Sequence, residues 1–439
     1  MAVDLFPPEA SAELEGPAWL RSHRAAAVSA LASTDLPSTD LEEWRYSRIR
    51  DLRPERFSPL PAAAAAETAA QGHVPVAAAA LIAELGELAG VVVLHNGVVV
   101  DVELSDDLQG TGVTFGPAGE ADEAALGTAM EQAPDAFALL NDAFGATPVV
   151  LSVPRGRTVE LPFAVVSHTD RDGAAVFPRL SVVAGEDSEC SVIEVALSAD
   201  VEALVVPVTE LSVGAAARVR HSSLQDLGPR VWQVGSLVAT VAQNATLRSS
   251  SAALGGDYAR QRTDCRLVGR GAHGDLSSVY FGDGDQMLDL RTFQEHRAPD
   301  TTSNLLFKGA VGDRSHSVYT GLIRIKPEAR GTNAVQANRN LKLSEDAWAE
   351  SVPNLEIENN DVHCSHASTV GPVDEDQRFY LESRGVPTTA AERLIVGGFF
   401  DEVLDGLPVP QLAEPVRSRL DVLLDRQMGP AHAVAGSAS

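Results

Sequence analysis

His363-Cys364-Ser365-His366 is the densest group of soft and borderline metal ligands in the chain. In a β-strand successive side chains alternate between faces, so Cys364 and His366 share one face and His363 takes the other. A thiolate and an imidazole whose backbones stand about 7 Å apart suit iron, zinc or a cluster. Two ligands are only half of a coordination sphere, and a second chain could supply the rest. The alternative on chemistry alone is a buried thiol flanked by two surface imidazoles.

Other groupings are weaker. Gly269-Arg270-Gly271-Ala272-His273-Gly274 has the glycine spacing of a dinucleotide loop, but a Ser/Val/Tyr strand pattern follows where a helix is required. A tight turn is expected there. No G-x-x-x-x-G-K-[ST] and no G-x-S-x-G occurs, which leaves no P-loop and no nucleophile elbow. Asp283, Asp285 and Asp289 begin like a calcium loop but lack its Gly and terminal Glu, so a solvated turn is expected. Glu42-Glu43-Trp44-Arg45-Tyr46 reads as an amphipathic turn that packs Trp44 and Tyr46 on the next unit. Basic residues between Arg314 and Arg339, including Arg324, Lys326 and Arg330, either pair with nearby acids or form an interface. Cys190 and Cys265 lie in strand-like runs and read as core thiols. The three cysteines are far apart, form no C-x-x-C pair, and fit a reducing cytoplasm.

The 439 residues suffice for two or three structural units. A net charge of −27 repels phosphate backbones and anionic lipid, so neither nucleic acid nor a membrane surface is an expected partner. The opening MAVDLFPPEASAELEGPAWL has no secretory pattern, and the apolar stretch Val76 to Val100 is broken by Glu84, Glu87, His95 and Asn96.

Helical spacing is expected over Pro17–Ala32, Ala78–Ala89 and Glu120–Ala143, with a Pro/Ala connector from Pro54 to Thr68. Val91 to Val100 brackets Asn96-Gly97 with β-branched residues, a hairpin signal. From Pro148 short Val/Thr/Ser/Leu runs alternate with Gly, Asp and Asn. Segments starting at Cys190, Val219, Leu247, Leu276, Leu305, Ala334 and Cys364 align with steps of 29, 28, 29, 29, 29 and 30 residues. A steady step without crossover helices predicts a parallel β-helix, in which each coil is covered by the next; a β-sandwich is the alternative. After Val386 two helices are expected. The first is capped by Thr389 with Glu392 and ends near Leu404; the second, Val409–Arg426, carries Leu412, Val416, Leu420 and Leu423 on one side. The closing Gly436-Ser437-Ala438-Ser439 is expected to fray.

Several of these segments resemble the SufB/SufD family: Tyr319–Ile325, Asn333–Leu341, Pro353–Ile357, Asp361–His366 and Phe379–Gly385, with Glu42–Tyr46 similar to its N-terminal motif. The likeness is dense over about residues 300 to 400 and thin but ordered elsewhere. The chain is short for the SufB type, lacks its further cysteines, and continues Cys364-Ser365-His366 with Ala367-Ser368-Thr369-Val370-Gly371, which is more like the SufD type. The resemblance implies a mainly β protein, a right-handed parallel β-helix (147–386) between an N-terminal, mostly helical region (1–146) and a C-terminal helical region (387–439). It implies a cytoplasmic iron–sulfur assembly scaffold and no enzyme in its own right. Its partners would be a SufB-type subunit at the β-helix end and a SufC-type ATPase at the C-terminal helices, with a homodimer in the absence of SufB. Iron or a cluster would be held transiently and shared with SufB, with His366 and Cys364 as ligands and His363 a weaker one; this chain would bind no nucleotide. The rival readings are a SufB-type paralogue, a structural partner whose SufB holds every ligand, and a β-helical polysaccharide-active enzyme.

Overall fold

A computed structural model describes residues 6–130 and 132–429; the Gly436–Ser439 tail lies outside them. From Val149 to Pro372 the chain winds into a β-solenoid of about eight turns, flanked by helices on both sides. Each full turn lends a strand to each of two sheets, one of twelve strands and one of ten. Inward rows such as Leu151, Val182, Leu211 and Ala239 stack coil upon coil into one continuous core.

The repeat read from the sequence is correct except at two rungs. Cys190, Val219 and Leu247 pair in register, as do Ala334 and Cys364. Leu247, however, pairs with Gly274, and Ala334 with Ser303, so Leu276 and Leu305 each sit two residues past the true rung. A two-residue slip keeps the same side chains facing inward, so the apolar pattern cannot detect it.

One turn of every coil is built the same way. Gly156, Asp187, Ala216, Asn244, Gly271, Asp300 and Gly331 all adopt left-handed backbone, with φ between 54° and 72°. Each donates its N–H to a carbonyl of the following coil at 2.7–3.1 Å, from Gly156 to Glu186 through Gly331 to Asp361. The G-x-G-x-x-G stretch is one such turn. A Cβ at Gly269 would lie 2.0 Å from the backbone nitrogen of Gln243, so only glycine fits there.

The N-terminal end is closed. Gly90–His95 and Val98–Leu104 form the expected hairpin, with φ of 50° at Asn96 and 81° at Gly97. The hairpin adds to the ten-stranded sheet beside Phe163–Thr169, and Thr114–Pro117 closes the other sheet in antiparallel pairing. The Pro/Ala connector is in fact helical over Ala62–Gln71: Pro61 starts it, and a run of alanines has the highest helix propensity. The pattern from Glu120 splits into a 3-10 turn, Glu120–Ala125, and a helix, Ala136–Phe144, capped by the Asp135 carboxylate.

Trp44 is buried, with Phe137 stacked on it and the Arg260 guanidinium 3.8 Å from its ring centre. Tyr46 is exposed and does not share this packing. Asp289 is no solvated turn. Strand Met287–His296 directs it under the N-terminal region, where it is fully buried and accepts from Arg260 (2.6 Å), Arg291 (2.6 Å) and Tyr258 (2.8 Å).

Among the described residues three α-helices follow the last strand: Glu375–Ser383, Thr388–Leu404 and Ala413–Met428. Leu412, Val416, Leu420 and Leu423 are buried as expected, and Phe400 and Val403 pack on Val279, Phe281 and Ala310 of the ten-stranded sheet. The cap differs: Pro387 precedes the first turn without a side-chain cap, and Glu392 accepts from Arg378 at 3.0 Å instead of closing a box.

Replacing Asp289 by Ala strands two buried guanidinium groups. A loss of about 3–5 kcal/mol is expected, measured as a lowered midpoint in denaturant unfolding.

Candidate functional site

The last strand, His363–Pro372, pairs on one side only, with Asn333–Lys342. Register places Cys364 over Ala334 and His366 over Gln336, and Ala334, Gln336, Asn338 and Asn340 are all buried. Cys364, His366, Ser368 and Val370 therefore continue an inward-facing row, but among the described residues no further coil covers it. Cys364 is half-buried against Ile323, Ile325, Ala334 and Leu355, which come from both sheets. His366 is exposed; His363 is exposed on the opposite face. Burial pushes the Cys364 thiol above its ordinary value.

Beneath this row the interior is polar. The Tyr280 hydroxyl donates to Asn340 Oδ1 at 2.6 Å and accepts from Asn338 Nδ2 at 2.8 Å; Asn340 Nδ2 donates to Asn338 Oδ1 at 2.8 Å. The Tyr319 hydroxyl meets Thr292 Oγ1 at 2.9 Å. Burial lifts both phenols well above their ordinary value. Gln336, one coil below His366, has both side-chain polar atoms buried without a partner. Sequence reasoning passed over Gln336; extending the 30-residue step from Cys364 back to Ala334 by one more alternation would have found it.

The basic cluster resolves into ion pairs: Arg314 with Asp285 (2.7 Å), Arg324 with Glu356 (2.6 Å), Lys326 with Glu358 (3.3 Å) and Arg339 with Glu402 (3.5 Å). Exposed pairs of this kind contribute little to stability. Arg330 contributes its carbonyl to the turn ladder. The rim is apolar, with Val335, Trp348, Ile357 and Val370 between 40% and 50% exposed.

The other cysteines play no part at this end. Cys190 and Cys265 are fully buried, and burial pushes each thiol up to about 12. One sulfur and one imidazole on a shared face, with open positions around them, fit a cluster or ion completed by another chain. They do not close a four-ligand site alone.

Residues 166–399 match the family described as "SUF system FeS cluster assembly, SufBD core domain". The chain belongs to the SufBD family. An iron-sulfur cluster assembly SufBD family protein of Mycobacterium tuberculosis is 34% identical over 67% of this chain and 74% of its own length. The iron-sulfur cluster assembly protein SufD of Escherichia coli is 28% identical over 89% of this chain and 90% of its own. A Staphylococcus saprophyticus SufBD protein is 25% identical over 76% and 73%. This SufBD chain is thus a protein of iron–sulfur cluster assembly, and its likeness to SufD runs almost end to end.

Iodoacetamide should label Cys364 alone in the folded protein, with a rate that keeps rising with pH beyond the range of an ordinary thiol, because only the thiolate reacts. Cys190 and Cys265 should react only after unfolding. Mass spectrometry of tryptic peptides checks both.

Proposed function

We propose that this chain is a SufD-type scaffold subunit that pairs through its open C-terminal coil with a SufB-type subunit. Cys364 and His366 then stand at the junction as donors to a nascent iron–sulfur cluster, which is the cargo. The observation that carries this reading is the asymmetry of the two ends. At the first coil the sheets end in the short antiparallel strands Val98–Leu104 and Thr114–Pro117, of seven and four residues, whereas Trp348–Ile357 and His363–Pro372 end them at the other with parallel edges of ten residues each. Long exposed edges invite pairing with another chain. The apolar rim and the inward-facing donors lie on that same end, so whatever seals it also completes the ligand set.

The C-terminal helices are the proposed dock for a SufC-type ATPase. Leu381, Leu394, Ile395 and Phe399 line an open groove between Glu375–Ser383 and Thr388–Leu404, with Phe379 and Tyr380 exposed beside it. These helices are mechanically tied to the open coil. Only Val373 and Asp374 separate Pro372 from the first helix. Lys308 Nζ donates to the Phe399 carbonyl at 2.8 Å and pairs with Glu402. A nucleotide-driven movement of the ATPase would therefore load the last strand and expose its donors.

His366→Ala should abolish cluster maturation on the co-expressed complex, followed by visible absorbance, while the ATPase still co-purifies. Full maturation in that variant would reject the ligand role. Ile357→Lys with Val370→Lys places charge on both edges. It should cut co-purification of the SufB-type subunit by on the order of tenfold without lowering the melting temperature. An unchanged complex would reject the edge-pairing reading, and loss of self-association alone would identify the partner as a second copy.

A further inference from the structure

A second cluster of metal-binding groups sits at the opposite, closed end of the solenoid. Parallel pairing of Gly90–His95 with Phe163–Thr169 sets His95 beside His168, and Asp170 follows directly. The ligand atoms of His95, His168 and Asp170 all lie within 4.8 Å of one another. His95 Nε2 is 2.8 Å from Asp170 Oδ2. His168 Nδ1 is 3.9 Å from the same oxygen, too far for a hydrogen bond. His168 is only 8% exposed, and its Nδ1 is buried without a partner. A buried polar atom left unpaired needs an explanation, and a bound ion is one of the few available.

The surroundings hold the carboxylate in place. Asn96, in left-handed backbone at the hairpin turn, donates from Nδ2 to Asp170 Oδ1 at 2.9 Å. Its Oδ1 accepts from the backbone N–H of Asp170 (3.0 Å) and Arg171 (3.2 Å), and its own N–H donates to the His168 carbonyl at 2.8 Å. One carboxylate oxygen is thus clamped and the other is turned toward the two imidazoles. Outer partners of this kind orient ligands in metal sites. The His73 ring approaches from outside, its centre 6.4 Å from that of His95.

We propose that His95, His168 and Asp170 bind a divalent first-row transition ion of the Zn²⁺ or Fe²⁺ class, with a fourth position for His73 or water. Two imidazoles and one carboxylate are the donor set such ions take from proteins. Bond lengths of about 2.0–2.2 Å require only that the three donors draw inward, replacing the hydrogen bond between His95 and Asp170 with bonds to the ion. Burial holds His168 below its ordinary value, with Asp170 opposing and His95 assisting. The ion would pin the hairpin to the first coil. The proposal is independent of the role of Cys364 and His366 at the far end.

The test uses the full chain carrying Cys364→Ser and His366→Ala, stripped by chelator and titrated with Zn²⁺ by calorimetry and with Co²⁺ by visible absorbance. One equivalent should bind, with a Co²⁺ spectrum of nitrogen and oxygen ligation, and Zn²⁺ should raise the melting temperature. Asp170→Asn and His168→Gln should each weaken binding by at least about tenfold and remove the thermal shift. Asn96→Ala, which touches no ion, should cost about tenfold by releasing the carboxylate. Should His168→Gln unfold the cap, His95→Gln serves in its place. Absence of a stoichiometric Zn²⁺ site in the parent, or equal affinity in the ligand variants, would overturn the proposal.

Discussion

Each interior strand of the solenoid exchanges its backbone hydrogen bonds with the coil before and the coil after, so no coil is complete without two neighbours. The turn ladder runs under the same rule, since each left-handed residue gives its N–H to the next coil and has no partner within its own. That requirement decides where chemistry can sit. A coil in the middle has its inward side chains sealed, and only at an unfinished end can an inward-facing thiol and imidazole meet anything beyond the chain. The placement of Cys364 and His366 therefore follows from where the winding stops as much as from the two residues themselves.

The interior is not uniformly apolar, and parts of its polar lining form hydrogen-bonded networks. Midway along, His221 Nε2 meets Glu194 Oε2 at 2.8 Å and His221 Nδ1 meets Ser249 Oγ at 2.9 Å, while Thr209 Oγ1 donates to the same carboxylate at 2.9 Å. Nearer the open end the Tyr280, Asn338 and Asn340 network takes over. Networks of this kind fix one arrangement of the groups that share them, because any member left unpaired in the interior is costly. Gln336, directly under His366, and Gln294, paired beside the inward-facing Cys265, each leave both amide atoms unmatched. The outside face of the twelve-stranded sheet is held by charge as well: Asp289 with its two arginines, Arg260 against Trp44, and the buried Arg179 paired with Asp142 and Glu210. These contacts carry the N-terminal region onto the coils.

Much of this was legible in the sequence, for definite reasons. Asn96-Gly97 forces a hairpin because both residues must take positive φ. The repeat was visible because inward positions recur once per coil. Leu276 and Leu305 were displaced because alternation has a period of two and cannot register a slip of two. The helix Ala62–Gln71 reads as a connector in the sequence because the prolines that precede it mask the helix propensity of its alanines. Asp289 was misjudged because its partners, Arg260 and Arg291, meet it only through pairing across coils and under a distant segment. The same is true of His95 and His168, 73 residues apart in sequence and adjacent only through parallel pairing.

The true rungs run Cys190, Val219, Leu247, Gly274, Ser303, Ala334 and Cys364, so coil length varies while strand register does not. All the variation is absorbed in the turns. The span from the sealed end to the unsealed one is therefore set by how many windings there are, at about 4.8 Å each, and not by how many residues each contains. Such a column works as a ruler graduated in whole steps. Turns can gain or lose a few residues without moving either end, whereas gaining or losing one winding would shift the thiol and imidazole by a full graduation relative to the helices that lie along the column's side.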